Sequence, residues 1–391
     1  MGREVLISFY LFLFRIIFLL CKTFPLKKKT VCVASFGDNI DYTVQTLRQY
    51  APEEEIVILK DAACNYPFDE TEYHVLRFQI SHPFAFIQSI YHLATAETIL
   101  VDNYFGFLAV TDFKDGVTCI QLWHAVGAMK QFGLNDPSNS KRSVKAIERF
   151  QQVYERFHYV TVGSEHMATI FRENFGLTNQ AILRTGVPRT DLFFDKDKKR
   201  KIIQRLKERF PVISSKKVIL YAPTFRKNNE KDPMVALNTD ALYEALADDY
   251  ALFVKLHPSV HSRVQEKYDG FIYDVSDYYN VNHLLLITDI LISDYSSIPF
   301  EFALLDKPMI FYPYDLKEYK QTSGLIENYE QMVPGPVVFQ TADIIRTIKE
   351  QAYDMEKIKG FSNQWNQYSK GNASEQLTQF LAEPEQKRAL I

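Results

Sequence analysis

Cysteine is scarce in this sequence, and the net charge is small. The 391 residues include four cysteines, which form no C-x-x-C pair and no cluster with metal-ligand spacing. This excludes a disulfide framework and predicts free buried thiols in a reducing compartment. The formal net charge is -3, so the overall charge does not favour nucleic acid or another polyanion as a partner. The chain also lacks low-complexity segments and repeats of solenoid period.

Apolar residues are abundant and are arranged in short runs. They make up 47% of the sequence, enough for ordinary hydrophobic cores, and the length suits two domains. The runs alternate with helical segments, which predicts parallel sheets covered on both faces. The first series comprises residues 30–36, 55–59, 98–103, 117–124 and 159–164, and the second comprises residues 217–225, 250–258, 289–297 and 308–315. We therefore predict two α/β domains, residues 30–195 and 217–360, with a ligand site in the cleft between them.

A highly charged stretch at residues 196–216 separates the two series. Ile202, Ile203 and Leu206 recur in it with helical spacing, so we predict a linker helix with a solvated charged face. After the second domain, residues 361–391 are predicted to form a C-terminal helical segment.

Residues 1–29 combine a long apolar run with several basic residues. The run spans residues 5–21 with Arg15 near its middle, and three lysines follow at 27–29. No small-residue cleavage site supports a signal peptide, and the run is barely long enough to span a bilayer. We predict a helix on the membrane surface, with Arg15 and the lysines at the lipid headgroups. The lysines favour the cytoplasmic side, and a helix packed on the protein itself is the alternative.

The segment "LISDYSSIPFEFALLDKP" carries the strongest phosphate-binding signal. Residues 290–292 are typical of a buried strand, and Pro299 suits the first turn of a following helix. Ser296 and Ser297 then lie at a helix N-terminus, where backbone N–H groups and hydroxyls favour an anion. Capping the helix needs only one serine, so the pair favours phosphate. Glu301, one turn further, is placed to reach a ribose hydroxyl.

Two further strand ends of the second domain carry residues suited to phosphate. Thr224 and Arg226 follow one strand, and an arginine there can present a planar fork to a diphosphate. Lys255 and His257 end the next strand, before Pro258. Each set alone is typical of a protein surface, but the three strand ends together predict a pocket for a nucleotide diphosphate. The serine motif contains no D-x-D pair, so it does not indicate an obligatory protein-bound metal for the reaction, and we expect no cofactor.

The first domain offers one candidate for chemistry, His124 in "QLWHAVGAMKQFG". It ends an apolar strand, and histidine is the side chain best suited to proton transfer near neutral pH. Its spacing alone leaves an even choice between a catalytic base and a core residue packed beside Trp123. Gly127 follows, among small residues that let a substrate approach closely. Asp102 and Asn103 stand at another strand end of this domain.

Together these motifs resemble a known family. The segments "WHAVGAMKQFG", "GVPRTDLF", "LYAPTFR", "KLHPSV" and "ISDYSSIPFEFALLDKPMIFYPYDL" are similar to those of the CDP-glycerol glycerophosphotransferase family of teichoic acid synthesis. The resemblance covers nearly the whole chain. It implies a GT-B-type α/β fold, in which two Rossmann-like domains face each other across a cleft. It also implies a peripheral enzyme at the cytoplasmic face of the bacterial membrane that transfers glycerol phosphate from CDP-glycerol and releases CMP.

The resemblance also gives roles to individual residues. It implies that His124 is the catalytic base and that His257, also catalytic, and Arg226 serve the donor diphosphate. With the strand-end residues above, the predicted donor side comprises Thr224, Arg226, Lys255, Ser293, Asp294, Ser296, Ser297 and Glu301. The predicted acceptor side comprises Asp102, Asn103, Gly127 and Lys130. The domain at 30–195 then serves the acceptor, and the domain at 217–360 binds CDP-glycerol.

Within the family, the chain resembles the TagB/TarB-type primase branch. Polymerases tend to carry W-H-G-T-P where this chain has W-H-A-V-G, and the N-terminal helix leads directly into the first sheet. For a primase, the implied acceptor is the ManNAc–GlcNAc disaccharide on undecaprenyl diphosphate. Three alternatives stay open: a short glycerol-phosphate polymerase, a GT-B sugar-nucleotide glycosyltransferase and a non-catalytic lipid-binding protein.

Overall fold

The computed structural model describes residues 2–226, 236–256, 268–326 and 328–383. Within it the chain forms two compact units that are interleaved along the sequence. The first unit comprises Met1–His124, Phe132–Asp191 and Tyr368–Ile391, and the second comprises Ala125–Gln131 and Leu192–Gln367. The predicted domains, by contrast, are contiguous in sequence. Each unit contains one parallel sheet, as expected for two α/β domains.

The sheet of the first unit has seven strands. They are β1 (Lys27–Ala34), β2 (Glu55–Lys60), β3 (His74–Arg77), β4 (Ala96–Val101), β5 (Thr118–Gln121), β6 (Tyr159–Thr161) and β7 (Ile182–Leu183). Their order in space is β3-β2-β1-β4-β5-β6-β7, which is a Rossmann-like order. The order reverses between β1 and β4, so the loops after these two strands flank the position where such sheets bind ligands.

The first α-helix precedes β1, and the others lie between strands of this sheet. They are α1 (Gly2–Cys21), α2 (Asp38–Tyr50), α3 (Pro83–Ala94), α4 (Val144–Tyr154) and α5 (Glu165–Phe175). Two of them begin at serines whose hydroxyls accept a backbone N–H bond from the first turn, Ser143 for α4 and Ser164 for α5. These caps satisfy N–H groups that a helix start otherwise leaves without partners, which explains why the helices begin there.

In the described part of the second unit, the sheet has five strands. They are β8 (Lys217–Ala222), β9 (Tyr250–Val254), β10 (Ile272–Asp274), β11 (Ile290–Ser293) and β12 (Met309–Phe311). Their order is β10-β9-β8-β11-β12, with the reversal between β8 and β11. A core that includes Ile219, Leu252 and Ile292 buries one face of this sheet.

The remaining helices follow in chain order. They are α6 (Lys196–Arg209), α7 (Thr239–Leu246), α8 (Val281–Ile287), α9 (Ile298–Phe302), α10 (Leu316–Ser323), α11 (Tyr329–Met332), α12 (Thr341–Glu350), α13 (Met355–Trp365) and α14 (Ala373–Ala382). Helix α14 returns to the first unit. Helix α6 confirms the helix predicted in the charged stretch, with Ile202 and Leu206 buried. The four cysteines are free and buried, as predicted.

Helix α1 confirms the predicted N-terminal helix and has two different faces. On one face, Phe14 and Phe18 are each 1% exposed, and the Phe14 ring lies 5.1 Å from the ring of Phe107. This face therefore packs on the first unit. The opposite face exposes the large apolar side chains of Val5, Leu6, Phe9, Phe12, Leu13, Ile16, Leu19 and Leu20. By length and composition alone, Glu4–Cys21 is the one helical stretch in the described part of the chain that could cross a membrane.

The basic residues after α1 differ from the prediction at one position. Lys27 and Lys28 are exposed, but Lys29 is buried, because β1 already begins at Lys27. The Lys29 ammonium group donates to the Thr95 hydroxyl at 2.8 Å and lies 3.1 Å from Nδ1 of His92. The predicted contact of Lys29 with lipid headgroups is therefore wrong.

Candidate active site

In the second unit, Asp294 joins the loops that follow β8 and β11. Its carboxylate accepts the backbone N–H groups of Thr224 at 2.8 Å and Tyr295 at 2.6 Å. Its carbonyl oxygen accepts the Tyr329 hydroxyl at 2.8 Å. Asp294 is buried. It therefore fixes the shape of both loops at the point where the strand order reverses.

The guanidinium group of Arg226 lies in the same corner. Nη2 donates to Asp294 at 2.7 Å and Nε donates to Asp315 at 2.8 Å. Nη1 donates to the carbonyl oxygen of Thr224. Two tyrosine rings lie 4.9 and 4.8 Å from the guanidinium carbon. Most donors of the planar fork are thus engaged by the protein itself, which makes Arg226 a residue that holds the loops in place.

The predicted serine turn is present at the start of α9. Ser297 is the N-cap residue of this helix, and Pro299 lies in its first turn. The Ser296 hydroxyl accepts the N–H group of Ile298 at 3.2 Å. The Ser297 hydroxyl makes no capping bond to the described part of α9. Ser293 is buried on β11 and donates to a carbonyl oxygen at the end of β8 at 2.9 Å, so it ties these two strands together.

The other predicted donor-side residues are engaged elsewhere or lie outside the described residues. Lys255 donates to the carbonyl oxygens of Ser276 and Tyr278 at 2.5 and 2.9 Å, and burial lowers its pKa below the usual value. Glu301 is buried within α9. His257 is outside the described residues. The residues that meet at the reversal point are therefore those of the loops after β8 and β11.

Two residues predicted on the acceptor side, Gly127 and Lys130, belong to the second unit. A Cβ atom at Gly127 would collide with the ring of Phe300 on α9, so glycine lets residues 125–131 pack against this helix. Lys130 donates from Nζ to the Tyr319 hydroxyl at 3.1 Å. The structure thus supplies a packing reason for the glycine and a hydrogen-bond partner for the lysine.

Asp102 in the first unit corresponds to Asp294 in the second unit, because each follows a strand at the point where the strand order of its sheet reverses. It follows β4, and its carboxylate accepts the backbone N–H groups of Ser35 at 2.8 Å, Phe36 at 2.9 Å and Gly37 at 2.7 Å. Burial raises its pKa to about 7, and the three N–H groups oppose this rise. The side chain is fully buried, so its carboxylate shapes the loop after β1.

His124 follows β5 and lies beside Asp102. Its Nδ1 is 3.2 Å from the Asp102 carbonyl oxygen. A carbonyl oxygen can only accept, so Nδ1 carries the proton and Nε2 keeps a lone pair. The ring stacks on Phe36 at 4.1 Å and on Trp123 at 4.4 Å. Burial lowers the pKa of His124 to about 4, so the imidazole is neutral at neutral pH and can accept a proton at Nε2.

A hydrogen-bond network that the sequence did not reveal fixes the backbone before His124. Trp123 has a φ of 57°, a left-handed conformation that is strained for a residue other than glycine. Its carbonyl oxygen accepts Nδ2 of Asn39 at 2.8 Å, and its N–H group donates to Oε1 of Gln121 at 2.8 Å. Gln121 in turn donates to the carbonyl oxygen of Asn103 at 2.9 Å. Asn39 lies on α2, where no motif marks it.

The "GVPRTD" segment connects this network to the rest of the first unit. The Arg189 backbone N–H group donates to Oδ1 of Asn39 at 2.9 Å, and its side chain pairs with Asp38 at 3.0 Å. The Asp191 carboxylate accepts the first two N–H groups of α14, at 2.9 and 2.8 Å. A negative charge at this position is also favoured by the dipole of the helix. The segment therefore joins α2, the backbone around His124 and α14.

Sequence comparison relates the chain to proteins of teichoic acid synthesis. The sequence model of the family described as CDP-Glycerol:Poly(glycerophosphate) glycerophosphotransferase matches residues 16–383. A teichoic acid glycerol-phosphate primase of Bacillus subtilis (strain 168) is 39% identical over 384 residues, covering 97% of this chain and 98% of that protein. A protein of the same name from Bacillus spizizenii strain W23 is 36% identical over 377 residues, covering 96% of this chain and 97% of that protein.

Structural comparison relates the chain to the wall teichoic acid polymerase TagF. A solved structure of TagF after a 15-minute soak with CDPG superposes with a TM-score of 0.79, over 91% of this chain and 89% of that one. The sequences are 24% identical, so the likeness concerns the fold. It confirms the predicted GT-B-type α/β fold.

Proposed function

Because this chain belongs to the CDP-glycerol:poly(glycerophosphate) glycerophosphotransferase family, we propose that it primes wall teichoic acid synthesis. It transfers glycerol phosphate from CDP-glycerol to the ManNAc–GlcNAc disaccharide on undecaprenyl diphosphate and releases CMP. The observation that carries this proposal is the match to two named glycerol-phosphate primases over nearly the full length of both proteins. The enzyme class and the family predicted from the motifs are thereby confirmed.

In the proposed reaction, a hydroxyl oxygen of the acceptor sugar attacks the phosphorus that carries the glycerol group. A new oxygen–phosphorus bond forms, and the bond from that phosphorus to the bridging oxygen of CMP breaks. The electron pair of the broken bond leaves with CMP, and the hydroxyl proton passes to the enzyme. The protein must therefore position both substrates, accept one proton and stabilise charge on the phosphates.

We assign the proton to Nε2 of His124. The bond from Nδ1 to the Asp102 carbonyl oxygen supports this assignment, because it fixes the tautomer with a lone pair on Nε2. The stacked rings of Phe36 and Trp123 support it too, because they hold the plane of the imidazole. A base with a pKa of about 4 is weak in the free enzyme. The negative charge of a bound diphosphate would raise this pKa towards neutrality, which strengthens the base when the substrate is present.

We assign the donor to the loops after β8 and β11. Open α/β sheets bind ligands where the strand order reverses, which supports this position. The hydroxyls of Thr224, Ser296 and Ser297 are the proposed phosphate contacts. Oγ1 of Thr224 is buried without a hydrogen-bond partner among the described residues, as expected of a group that awaits a ligand. Arg226 and Asp294 are proposed as positioning residues, since they already bond to each other.

A donor panel with a histidine variant tests the proposal. CMP or UMP/UDP release is measured from CDP-glycerol, CDP-ribitol and UDP-N-acetylglucosamine with the disaccharide lipid present. We expect turnover of CDP-glycerol alone, and a fall in kcat of about 10²-fold or more in His124→Ala, the usual range for a general base. His166→Ala, which alters an exposed histidine on α5, is the matched control and should keep the wild-type rate.

Two outcomes of this panel contradict the proposal. Wild-type turnover by His124→Ala removes His124 from the role of base. Turnover of the UDP-sugar in place of CDP-glycerol makes the protein a glycosyltransferase.

We also propose that the enzyme is peripheral on the cytoplasmic face of the membrane, near its lipid acceptor. The exposed face of α1 supports this, because so many adjacent large apolar side chains rarely face water on a soluble monomer. Arg15, Lys27 and Lys28 are exposed near it and suit anionic headgroups. The buried side chains of Phe14 and Phe18 favour a helix that lies on the membrane over one that leaves the protein to cross it.

Liposome flotation tests the membrane proposal. Replacing Phe9 and Phe12 together by serine should weaken binding to vesicles that contain anionic lipid, because their side chains are 60% and 59% exposed. Phe339→Ser, which alters a phenylalanine 48% exposed in the second unit, is the control. Equal flotation of both variants and the wild type would place the membrane contact elsewhere.

A further inference from the structure

Away from both strand-order reversals, three side chains of metal-ligand type converge in the first unit. Glu55 lies at the start of β2, His74 at the start of β3 and His92 in the last turn of α3. One ligand atom from each lies within 4.8 Å of the others, and this is the one such group of histidine, cysteine or acidic side chains among the described residues. The group stands at the amino ends of the strands, opposite the end where the loops of the proposed active site lie.

The residue types and distances of this group suit a transition metal ion. Two imidazoles and one carboxylate are a common zinc ligand set, with water in the fourth position. Nδ1 of His92 is 3.8 Å from Oε1 of Glu55. Two ligand atoms on one tetrahedral zinc ion are about 3.3 Å apart. Glu55 and His74 are exposed, so small rotations of their side chains suffice to shorten the distances between the ligand atoms to the value for zinc.

Lys29 competes with a metal for the same position. Its ammonium group is 3.1 Å from Nδ1 of His92, the atom that also faces Glu55. A divalent cation beside this charge would be repelled, so the ion and the charged lysine exclude each other.

We propose that Glu55, His74 and His92 form a binding site for a divalent cation of the zinc class, and that the Lys29 ammonium moves away from His92 when the ion binds. The site is structural. Strand β3 has four residues and, among the described strands, pairs only with β2, so it is a weakly held edge of the sheet. The ion ties this edge to β2 and to α3.

Zinc titration of the full-length protein tests the proposal. Protein stripped with a chelator is titrated with Zn²⁺ by calorimetry, and its thermal unfolding is followed with and without the ion. We expect one ion per chain and a rise in Tm, because an ion that binds only the folded state stabilises it. His74→Ala should weaken binding more than about 10-fold, the least expected for loss of a ligand. His166→Ala should bind like the wild type.

Lys29→Met separates this site from adventitious zinc binding. Methionine fills the buried position without a charge, so the variant should bind Zn²⁺ more tightly than the wild type. Unchanged affinity in both His74→Ala and Lys29→Met overturns the proposal, since the ion would then be bound elsewhere. Absence of zinc binding by the wild type overturns it as well. None of these results bears on the proposed glycerophosphotransferase activity, which is assayed separately.

Discussion

Replacement of Asn39 by alanine probes how the first unit holds His124. The side chain of Asn39 is fully buried and satisfies two backbone groups, the carbonyl oxygen of Trp123 and the N–H group of Arg189. Alanine leaves both without their partner. An unsatisfied buried group costs roughly 1–3 kcal/mol, so for two groups we expect the free energy of unfolding to fall by about 2–6 kcal/mol.

The same change should impair catalysis more than donor binding. The left-handed conformation of Trp123 costs about 1–2 kcal/mol and is held in part by the bond from Asn39. Without that bond the peptide before His124 can turn and move the imidazole. A displacement of about 1 Å at a catalytic group costs on the order of 100-fold in rate. We therefore expect kcat to fall by about that factor, while KM for CDP-glycerol changes little.

Steady-state CMP release at several CDP-glycerol concentrations separates the effect on kcat from the effect on KM. Asn280→Ala is the matched control: Asn280 is also buried and caps α8 in the second unit, so its loss costs stability without touching His124. Both variants are assayed at a temperature where circular dichroism shows them folded. A wild-type kcat in Asn39→Ala, or equal losses in the two variants, would refute the positioning role of Asn39.

Three further results are expected. The His124 imidazole should titrate near pH 4 in the free enzyme, because burial lowers its pKa; an NMR titration of this imidazole with a midpoint near pH 6.5 would contradict this. Arg226→Met should lower the free energy of unfolding by about 3–5 kcal/mol, because two buried carboxylates lose their partner. Denaturant unfolding measures this change. Wild-type stability together with a raised KM for CDP-glycerol would contradict it and would identify Arg226 as a direct phosphate ligand. Gly127→Ala should lower Tm and activity, because its Cβ meets the Phe300 ring. Gly360→Ala, in open space on α13, should keep the activity and a Tm at least equal to that of the wild type, and equal Tm values for the two variants would contradict the packing.

Among the described residues, the interior strands of both sheets and the edge strand β12 could be predicted from the sequence, but the other edge strands could not. All nine predicted runs contain a strand of the structure, because strands buried on both faces are continuous apolar runs. The three missed strands, β3, β7 and β10, each stand at the edge of a sheet. They have two to four residues, as strands with a single neighbour often do. Such short segments carry no readable periodicity.

The candidate site, too, could be predicted from the sequence only in part. Residues at strand ends, such as Asp294 and His124, could be found because the fold brings strand ends together. What they contact could not be read from the sequence, since Arg226 bonds to Asp315 and Lys255 bonds to backbone carbonyl oxygens. Asn39 was missed because an asparagine at the start of a helix is ordinary and its bond to Trp123 spans 84 positions. The interleaving of the two units along the chain could not be predicted either, because it depends on tertiary contacts.

The mass of the lipid product directly tests the proposed transfer of one glycerol phosphate to the disaccharide lipid. Purified protein is incubated with excess CDP-glycerol and the synthetic undecaprenyl-diphosphate disaccharide until CMP release stops, and the lipid is analysed by mass spectrometry. We expect a product heavier by one glycerol phosphate, with CMP equal to the lipid consumed. A ladder of products would make the protein a polymerase, and an unchanged lipid would contradict the proposed transfer.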